Sequence, residues 1–160
     1  MRLEITGMRR KDKEITDRQS MENVLKEAEI VRVAMIDDGE PYLVAMNYAY
    51  ADGSLYMHSA REGRKIDALK KNNKIAFQTE IDFKILLKTE ASNCTTRYMS
   101  VFGTGRAFLI ENRTEKIKAL DAIMTKHSGS AASGYPEKVL GMMLVIRVDI
   151  ETMTGKKSGY

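Results

Sequence analysis

Met21, Val24, Leu25 and Ala28 recur at i, i+3, i+4 and i+7, the stripe of an amphipathic helix. Asp17 stands where such a helix is capped, so the pattern predicts a helix running to about Glu29. The period then changes. Ile30 to Ile36 is β-branched and nearly continuous, a strand, and Asp37-Asp38-Gly39 closes it with a hairpin signal. Pro41 to Tyr50 reads as a second strand, apolar on both faces. Ala51-Asp52-Gly53 is the next turn, and Ser54 to Ser59 the third strand. Three strands joined by two tight turns predict an antiparallel meander. The helical period returns in Arg61 to Lys71, with Ile66, Leu69 and Lys70 at helical spacing. Ser59 and Glu62 match the S-x-x-E capping box, which predicts Ser59 as the N-cap.

Further along, Lys74 to Thr79 is a fourth strand, Phe83 to Lys88 a candidate continuation of it, and Thr89 to Thr96 a loop. Arg97 to Ile110 is a long strand interrupted by Gly103 and Gly105, which suggests a bulge or a sharp bend. Thr114 to His127 is a second amphipathic helix with Ile117, Leu120, Ile123 and Met124 on one side. Ser128 to Pro136 is a loop, Met142 to Ile150 a final strand, and the remaining tail is polar. Residues 1–16 show no clear periodicity and read as a surface arm. About six hairpin-linked strands with inserted helices predict a closed or partly closed antiparallel β-barrel. The 160 residues form one domain by length. Several strands lack a polar face, which predicts burial against a second copy, a homodimer.

Composition narrows the class. One cysteine, Cys94, excludes an internal disulfide framework and fits a reducing cytoplasm. No apolar run approaches the ~20 residues that span a bilayer, and the basic N-terminus lacks the apolar region of a signal peptide. The net charge of +4 raises nucleic acid as a partner, but the cations are dispersed and interleaved with acids. An anionic small molecule is the simpler expectation, with no nucleic acid and no membrane. The sequence contains no G-x-S-x-G, H-E-x-x-H or C-x-x-C, so a cofactor enzyme or a binding protein is favoured over a hydrolase. One cysteine and two distant histidines, His58 and His127, do not make a metal site.

The most chemically loaded stretch is Asp52 to Asn72. There a strand runs into a helix whose start is crowded by Arg61, Arg64 and Lys65. Free N–H groups, the positive end of a helix dipole and clustered cations are the components of a phosphate site.

Four blocks carry a family resemblance: the arm Met8 to Asp17, the hairpin and helix Asp37 to Asn72 (with its HSA, EG and basic pair in register), Arg97 to Asn112, and Met153 to Ser158. Together they resemble the pyridoxamine 5'-phosphate oxidase-like FMN-binding split barrels, most closely the nitroimidazole-resistance branch. The resemblance implies a mainly β, antiparallel split barrel of FMN-binding type, homodimeric, with FMN in each groove between subunits. It implies a flavin ring along Ala45 to Ala49, mostly on backbone atoms, with Met46, Asn47 and Tyr48 in contact. His58, Ser59 and Ala60 would lead to the ribityl chain and phosphate, Arg64 and Lys65 would neutralise the phosphate, and Ser100 of the same or the neighbouring subunit would complete the site. The implied activity is an FMN-dependent oxidoreductase reducing a small acceptor, such as a nitroimidazole, with a reduced nicotinamide. A split barrel holding flavin or haem without turnover is the alternative. The tail TGKKSGY stands where the oxidase itself carries an arginine-rich substrate motif, so vitamin B6 oxidation is not expected.

Each of these residues also has a plainer role. His58, the candidate catalytic side chain, is alternatively a histidine bonded locally at a strand end. Arg64 and Lys65 are alternatively solvated helix residues, Ser100 an ordinary outward strand residue and Tyr48 a packing aromatic. His127 at a helix C-terminus reads as structural, and Cys94 as non-catalytic.

Overall fold

The structure, a computed structural model, describes residues 8–160; the first seven residues of the expected arm lie outside the described residues. Eight strands and four α-helices follow in the order β1 (Glu14–Ile15), α1 (Arg18–Glu27), β2 (Ile30–Asp37), β3 (Glu40–Asn47), β4 (Ala49–Ala51), β5 (Ser54–Ala60), α2 (Arg64–Lys71), β6 (Lys74–Leu86), β7 (Thr95–Ile110), α3 (Arg113–Ser128), α4 (Glu137–Met142) and β8 (Met143–Ser158). All pairings are antiparallel, and the strand order is β3-β2-β6-β7-β8-β5-β4 with β1 added to β8.

The two ends of that order, β3 and β4, are consecutive in the chain. The expected single strand Pro41 to Tyr50 breaks at Tyr48: β3 pairs with β2, and β4 with β5. The meander is corrected accordingly. Its two hairpins form, but its middle strand is shared between opposite ends of the sheet. The barrel therefore closes through a covalent link at Tyr48, and beside that link β3 and β5 face each other without a ladder.

Inward-facing residues alternate along the strands as the pleat requires, and Met35, Met46, Leu55, Met57, Phe77 and Val101 fill the interior. Val24 and Leu25 of α1 join this core, with Asp17 Oδ1 accepting the Ser20 N–H at 2.7 Å as the expected cap. A bulge sits opposite the glycines of β7: Thr104 pairs with Thr152 and Gly105 with Ile150, so the extra residue is Glu151 of β8. A side chain at Gly103 would meet the Phe77 ring and the Thr152 carbonyl oxygen, the latter at 2.5 Å.

A second, smaller core lies under α3, formed by Ile110, Ala119, Leu120, Leu140 and Val145. Lys116 is buried there, its ammonium donating to the carbonyls of Leu140 (3.2 Å) and Met143 (2.9 Å).

Other expectations need correction. The final strand, expected over Met142 to Ile150, runs on through the polar tail to Ser158, because Tyr98 to Gly105 supply a ladder for it. Residues 14–15 of the arm pair with Gly155 and Lys156 of the same strand. The Ser59 cap does not form. Ser59 belongs to β5, opposite Leu144, because pairing to β8 holds the chain extended through Ala60. The helix then begins at Arg64 after Gly63, whose φ of 122° is a region glycine tolerates. Met124 of the expected α3 stripe is 39% exposed, while Lys116 and Ala119 take buried positions.

Candidate functional site

The open edges at the split form the centre of the site. Extending the β4–β5 register, in which Ala49 opposes Tyr56, past the break sets Asn47 opposite His58. No ladder forms there, because β3 has turned to pair with β2. Half of the backbone groups of Ala45 to Asn47 and of His58 to Ala60 therefore face the gap rather than a neighbouring strand. Unpaired strand edges demand partners.

Side chains alternate around this gap. Asn47, His58 and Ala60 are exposed, whereas Met46, Tyr48 and Ser59 point into the protein. Tyr48 is fully buried, its hydroxyl donating to the Leu25 carbonyl at 2.6 Å. The Lys126 ammonium sits 3.6 Å from the centroid of its ring and donates to the Ala28 carbonyl at 2.5 Å. Burial pushes the Tyr48 phenol up to about 12 and the Lys126 ammonium down to about 8. Tyr48 therefore offers the gap its backbone but not its ring. His127 Nε2–H donates to the Tyr48 carbonyl, 3.1 Å away, so His127 is held locally in a structural bond.

Ser59 is 6% exposed, and its hydroxyl has no hydrogen-bond partner among the described residues. An unpaired buried hydroxyl costs about 1–3 kcal/mol, and this one lies in the segment expected to meet the cofactor.

The end of β5 delivers the chain to α2. No side chain caps this helix. The Ile66 and Asp67 amides bond back to the Gly63 carbonyl, so the N–H groups of Arg64 and Lys65 stand at its open N-terminus. Arg64 is already engaged: its Nε donates to Asp37 Oδ2 at 2.7 Å, and its guanidinium lies 4.3 Å from the Tyr42 ring centroid. That hydrogen bond holds the Asp37 carboxyl below its ordinary range. Asp37 also meets Lys71, at 3.7 Å. Lys65 instead lines the apolar mouth formed by Met46, Met57 and Leu69 at this end of the barrel, its stem on the apolar surface. Arg61 pairs with Glu111 at 2.8 Å.

Ser100 is not part of this cluster within one chain. His58 is in register with Val145, and Val145 with Ile110. Ser100 lies ten residues further along β7, roughly 33 Å away at the rise of a strand, between Glu80 and Lys156. Cys94 accepts from the Lys88 amide at 3.3 Å in an exposed turn, outside the cluster.

The residues present fit a phosphate-bearing cofactor: an uncapped helix N-terminus, two adjacent cations, an unpaired hydroxyl and two open strand edges. The Arg64–Asp37 pair and the split at Tyr48 were not legible in the sequence. The polar Asn47 within the run Pro41 to Tyr50 was the one available signal for the latter.

Comparison with known proteins places this architecture. A family model described as pyridoxamine 5'-phosphate oxidase matches residues 17–157. An uncharacterised protein of Rhizobium meliloti (strain 1021), RA0666, is 31% identical over 147 residues, covering 89% of this chain and 93% of that protein. A solved structure provisionally named as a 5-nitroimidazole antibiotic resistance protein, from Bacteroides thetaiotaomicron VPI-5482, superposes with a TM-score of 0.81 at 31% identity, covering 89% of this chain and 85% of the other. An FAD and heme binding protein from Mycobacterium smegmatis shares the fold with a TM-score of 0.81 at 19% identity, over 92% of this chain and 74% of its own. The chain belongs to the pyridoxamine 5'-phosphate oxidase family.

Proposed function

We propose that the protein is a flavoprotein that binds FMN at the split between β3 and β5, and that it reduces a small acceptor such as a nitroimidazole with electrons from a reduced nicotinamide. The observation that carries this reading is the pair of open strand edges beside the uncapped N-terminus of α2, with Arg64 and Lys65 at its first turn. When bound, the flavin supplies the hydride and electron chemistry. The chain's own residues bind and orient it. The edges of Ala45 to Asn47 offer N–H and C=O groups to the ring, with Met46, Asn47 and Tyr48 contributing mainly backbone. His58, Ser59 and Ala60 line the way to the phosphate, and His58 is exposed where it can donate to cofactor or substrate.

The magnitudes require several contributions. A helix terminus supplies about 0.3–1 kcal/mol, up to ~2 when partly buried, whereas micromolar affinity needs roughly 8 kcal/mol. Charge-assisted bonds from Arg64 and Lys65 and burial of the ring supply the rest. Arg64 must turn from Asp37 to the phosphate. The exchange is cheap, because an exposed ion pair contributes only about 0–1 kcal/mol.

A homodimer completes the proposal. Leu43, Phe102 and Ile36 are exposed on the outer face of the sheet, a surface suited to a second copy, and Ser100 reaches a flavin only from a neighbouring subunit. The Bacteroides relative supports the nitroimidazole reading. The mycobacterial FAD and heme binding protein favours the second reading, a barrel that carries flavin or haem without turnover.

The test is a spectrum of the purified protein. Bound yellow absorbance that bleaches with reduced nicotinamide and returns with a nitroimidazole supports the enzyme. Colour without turnover supports the carrier. A colourless protein that takes up no added FMN overturns both flavin readings.

A further inference from the structure

Outside this site, a cleft of about 210 Å³ lies beneath α3, lined by Ala51, Asp52, Tyr56, Ile110, Glu115, Lys118, Ala119, Ala122 and Arg147. It exists because the side chains between the helix and β4 are small. Ala119 and Ala122 lie three residues apart on one face of α3 and stand over Ala51, where larger side chains would have closed the gap. Its volume equals that of about seven waters, too small for a flavin or a dinucleotide.

Charges of both signs line it. Lys118 Nζ and Asp52 Oδ2 pair at 2.9 Å, both side chains largely exposed. Arg147 of β8 and Glu115 of α3 are contributed by the two facing walls. Arg147 is fixed in place: Nε and Nη2 donate to Asp149 at 2.8 and 3.2 Å, and its guanidinium lies 5.3 Å from the Phe108 ring centroid. A guanidinium has five N–H groups, so three remain after the two given to Asp149.

We infer that this cleft is a second small-molecule site, for a free α-amino acid with a branched aliphatic side chain. The carboxylate meets the remaining Arg147 donors, the ammonium meets Glu115, and the side chain fills the alanine-lined space against Ile110. A zwitterion offers an acceptor to the spare Arg147 donors and a cation to Glu115 at once, whereas an anion or a cation alone engages only one wall. The inference does not rest on flavin binding.

The test titrates L-leucine into the isotope-labelled full chain at roughly millimolar concentrations, followed by amide NMR shifts. Shifts confined to residues near Ala51, Glu115 to Ala122 and Arg147 support the site. 4-Methylpentanoate, which lacks the ammonium, and isoamylamine, which lacks the carboxylate, are expected to bind about tenfold or more weakly. Ala122→Leu, which fills the cleft, and Arg147→Met are each expected to remove the shifts while FMN affinity is unchanged; if Ala122→Leu fails to fold, Arg147→Met alone carries the comparison. No shifts, shifts elsewhere on the protein, equal binding by either singly charged analogue, or full binding by Arg147→Met overturns the inference.

Discussion

Tyr48→Phe removes one oxygen from the point at which the barrel closes. The hydroxyl is fully buried and donates to the Leu25 carbonyl at 2.6 Å, which ties the β3–β4 break to the end of α1. Leaving that carbonyl without this donor costs about 1–3 kcal/mol. Two features moderate the loss: Lys126 Nζ remains 3.4 Å from the same oxygen, and the phenylalanine ring keeps its place under the ammonium. We therefore expect a loss of about 1–2 kcal/mol, or roughly 2–8 °C in Tm for a domain of this size. The pH dependence is the sharper assay. Burial raises the phenol from its ordinary 10 to about 12 in the folded state. The unfolded chain thus releases this proton first as pH rises. The associated stability is fully present below pH 10 and is lost as pH rises through 12. Linkage gives roughly 1.4 kcal/mol lost at about pH 11 and about 2.7 kcal/mol once both states are ionised. Denaturant unfolding of wild type and Tyr48→Phe from neutral to alkaline pH measures the difference, since the other six tyrosines are common to both. The wild type's advantage should shrink across that window. A variant as stable as wild type at neutral pH, or an advantage that is constant with pH, would refute the reasoning.

Four further outcomes are expected. Arg64→Ala combined with Lys65→Ala should weaken FMN binding by about a hundredfold or more, as two charge-assisted bonds are lost; unchanged affinity by fluorescence titration would move the phosphate elsewhere. Ser59→Ala should have opposite effects in two assays. It should leave the cofactor-free protein equally stable or up to about 1 kcal/mol more stable, by removing an unpaired hydroxyl, and should weaken FMN. Gly103→Ala should cost about 1–3 kcal/mol through overpacking against Phe77 and the Thr152 carbonyl, read as a lower Tm; a neutral result would mean that β7 moves freely there. Lys116→Met should leave the Leu140 and Met143 carbonyls unpaired and lower stability by about 1–3 kcal/mol, with FMN affinity unchanged.

The cations expected to hold a phosphate do meet at one helix terminus, but in different states. Arg64 is stacked on Tyr42 and paired with Asp37, residues of the preceding hairpin. Lys65 is laid over the mouth of the barrel. The two are therefore not interchangeable. Arg64 is engaged in a surface ion pair, and Lys65 borders the apolar pocket at this end of the barrel.

Local physics determined much of this protein from the sequence alone. Hydrophobic period and turn residues located α1, both hairpins, α2 and α3, because each depends on neighbours a few residues away. The basic turn at Arg61 to Lys65 was legible for the same reason. What the sequence could not contain was pairing between distant segments. The capping box at Ser59 is locally sound, yet the ladder to β8 outweighs it, and the hydroxyl meant to cap a helix is buried without a partner. The polar tail becomes a strand because β7 offers it an edge. Tyr48, in a run that is apolar apart from Asn47, becomes the break, because β2 and β5 lie toward opposite ends of the strand order and one strand must serve both. Propensity and period act over one or two turns of chain, whereas the split and the open edges beside it depend on which strands meet, and only the tertiary structure decides that.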